Sequence, residues 1–335
     1  MPSSSTTKQP RSSSSRPVSG KRTPSRSILP ASPGRSRRGI RSRLRSRPTQ
    51  TISRARGSPA FHWLPSQARF PSCPDAYSAA SAARAINSPH PKGGPMKFDD
   101  ALEINSALAI YAHPDDNEWN SGGTIASWVR QGVEVNLVLV TNGASGSSDP
   151  DMTREKLKEI RMVEQRQAAD VLGVKEVVTL GFEDGYLYPD LELRKAVARE
   201  IRRFRPDVVL THSTERVMAD FYANHPDHIA VGEVVLRSIN PDASSGLMFT
   251  ELWKEEGFEP FLPNAVFIGT FGFGPVFTDI TETVDQKIEA LKHHRSQIES
   301  PDEIETFVRE RFKQIAQDQP YEYSESFHIL RTNVV

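Results

Sequence analysis

The sequence from Met96 onward predicts an α/β fold, an open and mostly parallel sheet with helices on both faces. Two observations predict it. Short apolar runs of strand length alternate along the chain with longer segments of helical periodicity. Strands that are separated by helices pair in parallel through right-handed crossovers, which places the helices on both faces of the sheet. Ligands of such sheets bind outside the carboxyl ends of the strands.

The predicted elements follow one another in regular alternation. The apolar runs that predict strands are residues 107–111, 133–140, 177–180 and 208–211. The segments that predict helices are residues 122–131, 153–172, 193–204 and 228–239. Glycine closes the second helix at Gly173, where a left-handed residue is favoured. The predicted architecture is therefore Rossmann-like.

The C-terminal part of the chain, residues 240–335, contains fewer clear signals. An apolar strand is predicted at 264–269 and a helix at 285–298. A final helix presents the apolar side chains of Ile304, Phe307, Phe312 and Ile315 on one side. We interpret 240–335 as an extension of the 96–335 domain that covers the crevice and shapes the substrate pocket.

Residues 1–95 differ from the rest in composition. They contain 18 Lys and Arg against one acidic residue, Asp75, and the remainder contains 24 against 41, although the whole chain has a formal net charge of zero. Because this Ser-, Arg- and Pro-rich segment cannot bury enough apolar surface to offset its ordering entropy, we predict a disordered basic tail. We favour the interpretation that Met96 is the true start. A transit peptide and a nucleic-acid-binding arm stay open.

The cysteine content and the hydropathy of the sequence bear on where in the cell the protein is located. The single cysteine, Cys73, excludes an intramolecular disulfide and any cysteine-based metal site after Met96. This is compatible with a reducing compartment, and we expect a cytoplasmic protein. No apolar run approaches the ~18 residues that a membrane span needs. The N-terminus also lacks the apolar core of a secretory signal.

Residues 112–117, Ala-His-Pro-Asp-Asp-Asn, place one imidazole and two carboxylates in the turn after the first predicted strand. Unpaired carboxylates that are partly desolvated are costly, and a divalent cation would hold them. The alternative is structural, with an aspartate capping the helix at 122 and His113 as an ordinary turn residue. For this motif taken alone we would prefer that alternative.

Residues 224–228, Asn-His-Pro-Asp-His, form a second motif where a loop enters a helix. Two histidines three positions apart have ligand-like spacing, although a surface histidine pair with Asp227 as a helix cap would look the same. Both motifs read His-Pro-Asp, and the fold would bring both to one crevice, so together they favour a metal site. His212, at the end of another strand, is equally compatible with a turn residue and a site residue.

The two motifs resemble those of the PIG-L/LmbE family of N-acetylglucosaminyl deacetylases, over about residues 107–239. The family's first motif is Ala-His-Pro-Asp-Asp-Glu, and here Asn117 replaces the glutamate; the second, His-Pro-Asp-His, is intact at 225–228. Further matching features are Thr-Asn-Gly at 141–143, Arg161 with Glu164, residues 181–184 and Leu-Lys-His-His-Arg-Ser-Gln at 291–297.

The resemblance implies a role for each matching position. The zinc ligands, for one zinc per chain, would be His113, Asp116 and His228. The catalytic residues would be Asp115 as general base, His225 as the acid or oxyanion-stabilising group, and Asp227 as the residue that orients His225. The residues that contact the substrate would be Arg161 and Asp184 at sugar hydroxyls and His294 near the acetyl group.

The chemistry of these residue types supports the implied roles. Two imidazoles and one carboxylate leave zinc an open coordination position, and zinc lowers the pKa of a bound water to about 7. A neighbouring carboxylate can take the proton of that water, and a protonated His225, with its pKa raised by Asp227, can stabilise the oxyanion. Asn117 lacks the charge of glutamate, so we expect tuned activity, with Glu118 as a candidate to compensate.

Several functions stay open at this point. The favoured one is a zinc-dependent hydrolase that removes an N-acyl group, with acetyl favoured, from an amino sugar such as a GlcNAc-containing glycoside. An amidase of a thiol–sugar conjugate would use the same site. An iron(II) oxygenase would use the same three ligands, but Asp115 and His225 serve hydrolysis instead. We expect no nucleic-acid partner for the folded domain; Fe²⁺ in place of zinc and a homo-oligomer stay open.

Overall fold

The computed structural model describes residues 96–99, 101–219, 222–270, 274–298 and 300–332. The predictions of a disordered tail, a transit peptide or a nucleic-acid-binding arm fall on residues 1–95 and lie outside the described residues. Within the described ranges, no helix combines the length and the apolarity that crossing a bilayer requires.

Strands and helices alternate from β3 to β6 in the described chain. The strands are β1 (Met96–Asp99), β2 (Leu102–Ile104), β3 (Ser106–Tyr111), β4 (Glu134–Thr141), β5 (Glu176–Phe182), β6 (Val208–Thr211), β7 (Met218–Ala219), β8 (Tyr222–Ala223), β9 (Ala265–Gly269), β10 (Val276–Asp279) and β11 (Ser324–Arg331). The α-helices are α1 (Asp116–Arg130), α2 (Arg154–Leu172), α3 (Leu191–Phe204), α4 (Pro226–Arg237), α5 (Thr250–Lys254), α6 (Val284–Lys292) and α7 (Pro301–Ile315), and a π-helical turn, Ser238–Ala243, follows α4.

The central sheet has seven strands in the order β10-β11-β9-β6-β3-β4-β5. Strands β9, β6, β3, β4 and β5 are parallel, and β11 is antiparallel to both of its neighbours. The chain runs outward from β3 to β5 and then returns to β6 on the other side of β3. The carboxyl ends of β3 and β6 therefore meet at the switch point where such sheets bind ligands. The predicted fold class is confirmed.

Apolar side chains on both faces of the sheet hold the helices in place. Along β3, Ala109 and Tyr111 pack in one cluster with α1 and α2, whereas Leu108 and Ile110 pack in the other with α3 and α4. All four are fully buried, and burial of a large aliphatic side chain contributes about 1.5–3 kcal/mol. The period of two along the strand thus produces the layered fold that positions the loops at the strand ends.

Helix α1 begins at Asp116, well before the predicted start at 122. The glycine pair at 122–123, which suggested a helix start, lies inside the helix. Glycine is required at 123 for close packing, because a Cβ there would be 2.7 Å from the Cβ of Ile280. Glycine at this position lets α1 pack closely against the segment of the same chain that contains Ile280. As a consequence, the acidic motif of 112–117 runs directly into the first helical turn.

The C-terminal region joins the sheet, which the sequence analysis predicted only for β9. Strands β9, β10 and β11, all from residues 240–335, belong to the central sheet; that this region also covers the crevice stays a prediction. Strand β11 escaped prediction because its buried half contains the polar residues Ser324, Glu325 and Ser326. Helix α6 ends at Lys292, before the predicted end at 298, and α6 and α7 pack together outside α1.

Candidate active site

The side chains of the three predicted metal ligands meet at the switch point of the sheet. His113 follows β3, Asp116 opens α1, and His228 lies in the first turn of α4. The Oδ2 atom of Asp116 is 3.2 Å from Nδ1 of His113, and its Oδ1 atom is 3.0 Å from Nε2 of His228. One carboxylate therefore faces two imidazoles, each through its own oxygen.

More donors surround these three than the motifs alone indicate. In three overlapping groups, the ring nitrogens and carboxylate oxygens lie within 4.8 Å of one another. The groups are His113 with His225 and His228, Asp116 with His212 and His228, and His113 with Asp184 and Asp227. Imidazole nitrogen and carboxylate oxygen are the donors that zinc takes when cysteine is absent. The donor set of the crevice fits a zinc ion.

His212, which the sequence left undecided, lies in the site. Its buried ring stacks on the ring of His228 at 4.2 Å between centroids, and its Nε2 is 3.1 Å from Oδ2 of Asp116. The same nitrogen accepts a hydrogen bond from the backbone N–H of Ala112 at 3.2 Å. Burial and the charge of His228 lower the pKa of His212 to about 4. The signal that could have identified it is its place after β6, beside β3 at the switch point.

His113 is surrounded by carboxylates. Its Nδ1 faces Asp116, and its Nε2 lies 3.1 Å from Oδ1 of Asp184 and 3.3 Å from Oδ2 of Asp227. Burial lowers the pKa of His113, but the hydrogen bonds to Asp116, Asp184 and Asp227 outweigh it and raise this pKa well above its ordinary value. Carboxylates on the far nitrogen of a ligand histidine fix the orientation of its ring.

The role of Asp227 in orienting His225 stays a prediction, and its carboxylate makes its hydrogen bonds with other groups. The Asp227 carboxylate accepts hydrogen bonds from the N–H groups of Gly185 (2.8 Å) and Leu187 (3.3 Å) and contacts His113. His225 is the N-cap of α4, so its Nδ1 turns back to accept the backbone N–H of Asp227 at 3.3 Å. A neutral His225 therefore carries its proton on Nε2.

The pKa of His225 departs from the prediction. Desolvation and the neighbouring His113 lower this pKa, and they outweigh the charge of Asp227, which does raise it, as expected. The difference arises because the Asp227 carboxylate is directed to His113 and to the loop that follows β5.

Asp115 has the backbone conformation of a strained residue. Its φ of 89° and ψ of −24° lie in the left-handed region, which non-glycine residues seldom adopt and which is found at functional sites. Its Oδ2 lies 3.3 Å from Nη2 of Arg161. Burial raises the pKa of Asp115, Arg161 opposes this, and Asp116 adds to it, leaving the pKa raised overall. A raised pKa brings a carboxylate closer to what a general base needs.

The three residues predicted to contact substrate lie against the site, each with protein partners. Arg161 is buried and donates to the carbonyls of Pro114 (2.6 Å) and Gly143 (2.9 Å). Asp184 accepts from the N–H of Ser145 at 2.7 Å; burial raises its pKa, but the bond to His113 prevails and lowers it to about 2.

His294 is fully buried, with Nε2 3.3 Å from Oε2 of Glu118. This places His294 behind the crevice and not on its surface. The assignment of Arg161, Asp184 and His294 to substrate binding stays a prediction.

Comparisons with known proteins lead to one family. The family model PIG-L, described as GlcNAc-PI de-N-acetylase, matches residues 108–239. The chain is 29% identical over 195 residues to diacetylchitobiose deacetylase of Thermococcus kodakarensis, covering 58% of this chain and 71% of the relative. It is 30% identical over 203 residues to probable N-acetyl-alpha-D-glucosaminyl L-malate deacetylase 2 of Bacillus cereus, covering 58% and 84%.

A solved structure has the same fold. The N,N'-diacetylchitobiose deacetylase from Pyrococcus horikoshii, complexed with its inhibitor MPG, matches with a TM-score of 0.62 and 28% sequence identity. The match covers 68% of this chain and 84% of that chain. It therefore covers more of the chain than the segment matched by the family model.

Proposed function

The chain belongs to the PIG-L family, and from this premise we propose that it is a zinc-dependent hydrolase that removes an N-acetyl group from an amino sugar. The relatives named above are deacetylases, which hydrolyse the amide bond of an N-acetylated amino sugar. Like them, the chain is an enzyme of the deacetylase type. The metal, the sugar and the acyl group are the finer parts of the proposal.

One observation carries the proposal: the Asp116 carboxylate contacts His113 through one oxygen and His228 through the other, with Asp115 next to it in the chain and His225 within 4.8 Å of both histidines. A deacetylase needs a Lewis acid, a base and a proton donor in one place, and these five side chains can supply all three. These residues come from two motifs that are distant in the sequence. If the motifs were only a helix cap and a surface histidine pair, their side chains would not need to meet.

His113, Asp116 and His228 would hold the zinc ion. When bound, zinc polarises the amide carbonyl and makes a water acidic enough to attack at neutral pH. The carboxylates of Asp184 and Asp227 hold the far side of the His113 ring, which keeps its Nδ1 directed to the side of Asp116. These contacts support a site that is organised before the substrate arrives.

Asp115 would take the proton of the attacking water. It is next to Asp116 in the chain, its pKa is raised by burial, and Arg161 holds its carboxylate from one side. A carboxylate with a raised pKa accepts a proton more readily at neutral pH than an ordinary one does. The buried Arg161, bound to the carbonyl of Pro114, supports a fixed position for this base.

His225 would stabilise the negative charge that develops on the carbonyl oxygen. Because its Nδ1 accepts the N–H of Asp227, its Nε2–H is the free donor of the neutral ring. The amine is a poor leaving group until it is protonated, so a proton must also reach its nitrogen. Asp115, which then holds the proton taken from the water, can deliver it, while the neutral His225 acts as a hydrogen-bond donor.

The loop after β5 supports a sugar as the substrate. Its Gly185 and Leu187 are bound to the carboxylate of Asp227, and Tyr186 between them is 79% exposed. Tyr188 in the same loop is 75% exposed. An exposed tyrosine offers an apolar ring face and a hydroxyl, which suits the mixed surface of a sugar ring.

An amine-release assay over a panel of N-acetylated glycosides, with a thiol–sugar conjugate included, tests the proposal. The protein is assayed after loading with zinc or with Fe²⁺, and bound metal is measured in the same preparation. We expect amine release with zinc at about one ion per chain. Failure of every panel member with the zinc-loaded protein would contradict the proposed function.

Asp115→Asn tests the base within the same assay. It keeps the shape of the side chain and should retain metal, while turnover falls about 10²- to 10⁴-fold because the base is lost. Asp170→Asn, at an exposed position of α2, is the matched control and should behave as wild type. Full activity in Asp115→Asn would remove the base assignment.

Two further parts of the sequence-based expectation belong to the proposal. We propose a cytoplasmic location, which fractionation of expressing cells would test. Whether the chain forms a homo-oligomer is testable by light scattering of the purified protein. Neither affects the chemistry assigned to the crevice.

A further inference from the structure

A buried polar network lies behind Asp115, the proposed base. It consists of Gln165, Glu118, Asn117 and His294, and all four side chains are fully buried. Gln165 on α2 accepts the backbone N–H of Asp115 at 3.0 Å through Oε1. Its Nε2 donates to Oε1 of Glu118 at 2.9 Å. This rear network therefore connects helix α2 to the turn that contains the proposed base.

The chemistry of the groups fixes the direction of each contact in the rear network. A carboxylate only accepts hydrogen bonds, so Gln165 must present its Nε2 to Glu118. Its Oε1 is then directed to the N–H of Asp115. Asn117 donates to the same Glu118 oxygen at 2.8 Å, and the other oxygen of Glu118 lies 3.3 Å from Nε2 of His294. The negative charge of Glu118 thus selects the orientation of Gln165.

The contact from Gln165 falls on the one residue of the turn whose backbone is strained. The left-handed conformation of Asp115, with φ at 89°, persists only where the surroundings hold it. Arg161 holds the Asp115 carboxylate and the preceding carbonyl, but the N–H of Asp115 is held by Gln165. The two α2 residues therefore hold the backbone and the side chain of Asp115 separately.

We propose that Gln165, oriented by Glu118, is a positioning residue that keeps Asp115 in its left-handed conformation and so sets where the basic carboxylate lies. The proposal rests on the role of Asp115 in the proposed function. Gln165 itself does not touch the reacting atoms. Its effect reaches the reaction through a single hydrogen bond to the backbone of the base.

Gln165→Leu tests the proposal, because it removes both contacts at similar side-chain volume. We expect kcat to fall about 10- to 100-fold with KM and bound zinc unchanged. The backbone amide of Asp115 should exchange with deuterium about fivefold faster, in the zinc-free as well as the zinc-loaded protein. Gln167→Leu, at an exposed position of the same helix, is the control and should leave both readouts unchanged.

Glu118→Gln provides the conservative comparison. The new amide can still accept from Gln165 and Asn117 through its oxygen, so its loss of kcat should be smaller than that of Gln165→Leu. Should Gln165→Leu fail to fold, Gln165→Met decides by the same readouts. It also removes both contacts, and we expect the same fall in kcat.

Unchanged amide exchange at Asp115 in the Gln165 variants would overturn the proposal. So would a loss of activity that is fully explained by lost zinc or lost folded protein, since that would be a structural role. Amide exchange does not depend on turnover. If the wild-type protein released no amine from any glycoside, the proposed function would fail while the exchange experiment would still decide what Gln165 does.

Discussion

Lys287→Met removes the cation from an ion pair that is fully buried against helix α1. The Nζ atom of Lys287 is 2.7 Å from Oε1 of Glu325, and both side chains have no exposed surface. Lys287 also donates to the carbonyl of Glu118 at 2.7 Å and of Trp119 at 2.8 Å. The carboxylate of Glu325 accepts the N–H groups at 123 and 124, both at 2.9 Å. The pair thus enters the backbone hydrogen bonding of α1 itself.

The magnitude follows from what remains after the substitution. Methionine fills a similar volume but leaves the Glu325 carboxylate buried without its cation, which costs about 3–5 kcal/mol. The whole free energy of unfolding of a domain is about 5–15 kcal/mol. A loss of this size lowers the thermal midpoint of a domain of this length by about 6–20 °C. The double variant Lys287→Met/Glu325→Gln removes both charges and should lose less than the two single variants combined.

Urea unfolding followed by circular dichroism measures these free energies for the two single variants and the double variant. Lys158→Met, at an exposed position of α2, is the control and should stay within about 0.5 kcal/mol of wild type. The reasoning would be refuted if Lys287→Met cost no more than this control. It would also be refuted if the losses of the single variants simply added in the double variant, since the buried charges would then not be coupled.

Three further outcomes follow from the same contacts. Gly123→Ala sets a methyl group 2.7 Å from Ile280 and should cost about 1–3 kcal/mol in urea unfolding, so an unchanged midpoint would contradict the packing. In the zinc-free protein, the bond to His113 prevails over burial and lowers the pKa of Asp184 from 3.8 to about 2. Its folded form binds a proton less readily than its unfolded form, so about 2 kcal/mol of stability is present above about pH 4 and is lost as pH falls towards 2. Asp184→Asn should flatten that part of the acid-unfolding curve, and a curve identical to wild type would count against the assignment. Zinc at about 1,000 times its Kd should stabilise the chelator-stripped protein by about 4 kcal/mol in thermal unfolding, and His228→Asn should abolish that shift; an equal shift in the variant would argue against His228 as a ligand.

The centre of the fold could be predicted from the sequence because its strands are largely apolar. Strand β6 has the predicted bounds, and β3 differs from its prediction by one residue at one end. Strands buried on both faces give continuous apolar runs, which are easy to recognise. The start of α1 could not be predicted, because the glycines at 122–123 serve close packing inside the helix and resemble a helix boundary in the sequence. Strand β11 could not be predicted, because its buried half contains polar residues and so lacks an apolar run.

The site, like the fold, has a part that could be predicted from the sequence and a part that could not. The predicted ligands come from two short motifs, so their residue types were visible in the sequence. The contacts that hold them join distant positions: His212 and Asp116 are 96 residues apart, and Gln165 and Glu118 are 47 apart. Asp227 shows the limit of local spacing, since its carboxylate makes its hydrogen bonds with His113 and with the loop after β5, although His225 is only two residues away. Local spacing revealed the chemistry, whereas the supporting contacts depend on the tertiary fold.

The extension of the sheet past β6 affects how the chain can be divided. A fragment that ended at residue 239, where the match to the family model stops, would leave one side of β6 without its neighbour β9. The bare backbone donors and acceptors of a buried strand invite association with other chains. The same cut would remove Lys287 and Glu325, which form hydrogen bonds with the backbone of α1. The first turn of that helix contains Asp116. We therefore expect that the segment matched by the family model does not fold on its own, and that its chemistry depends on residues far downstream.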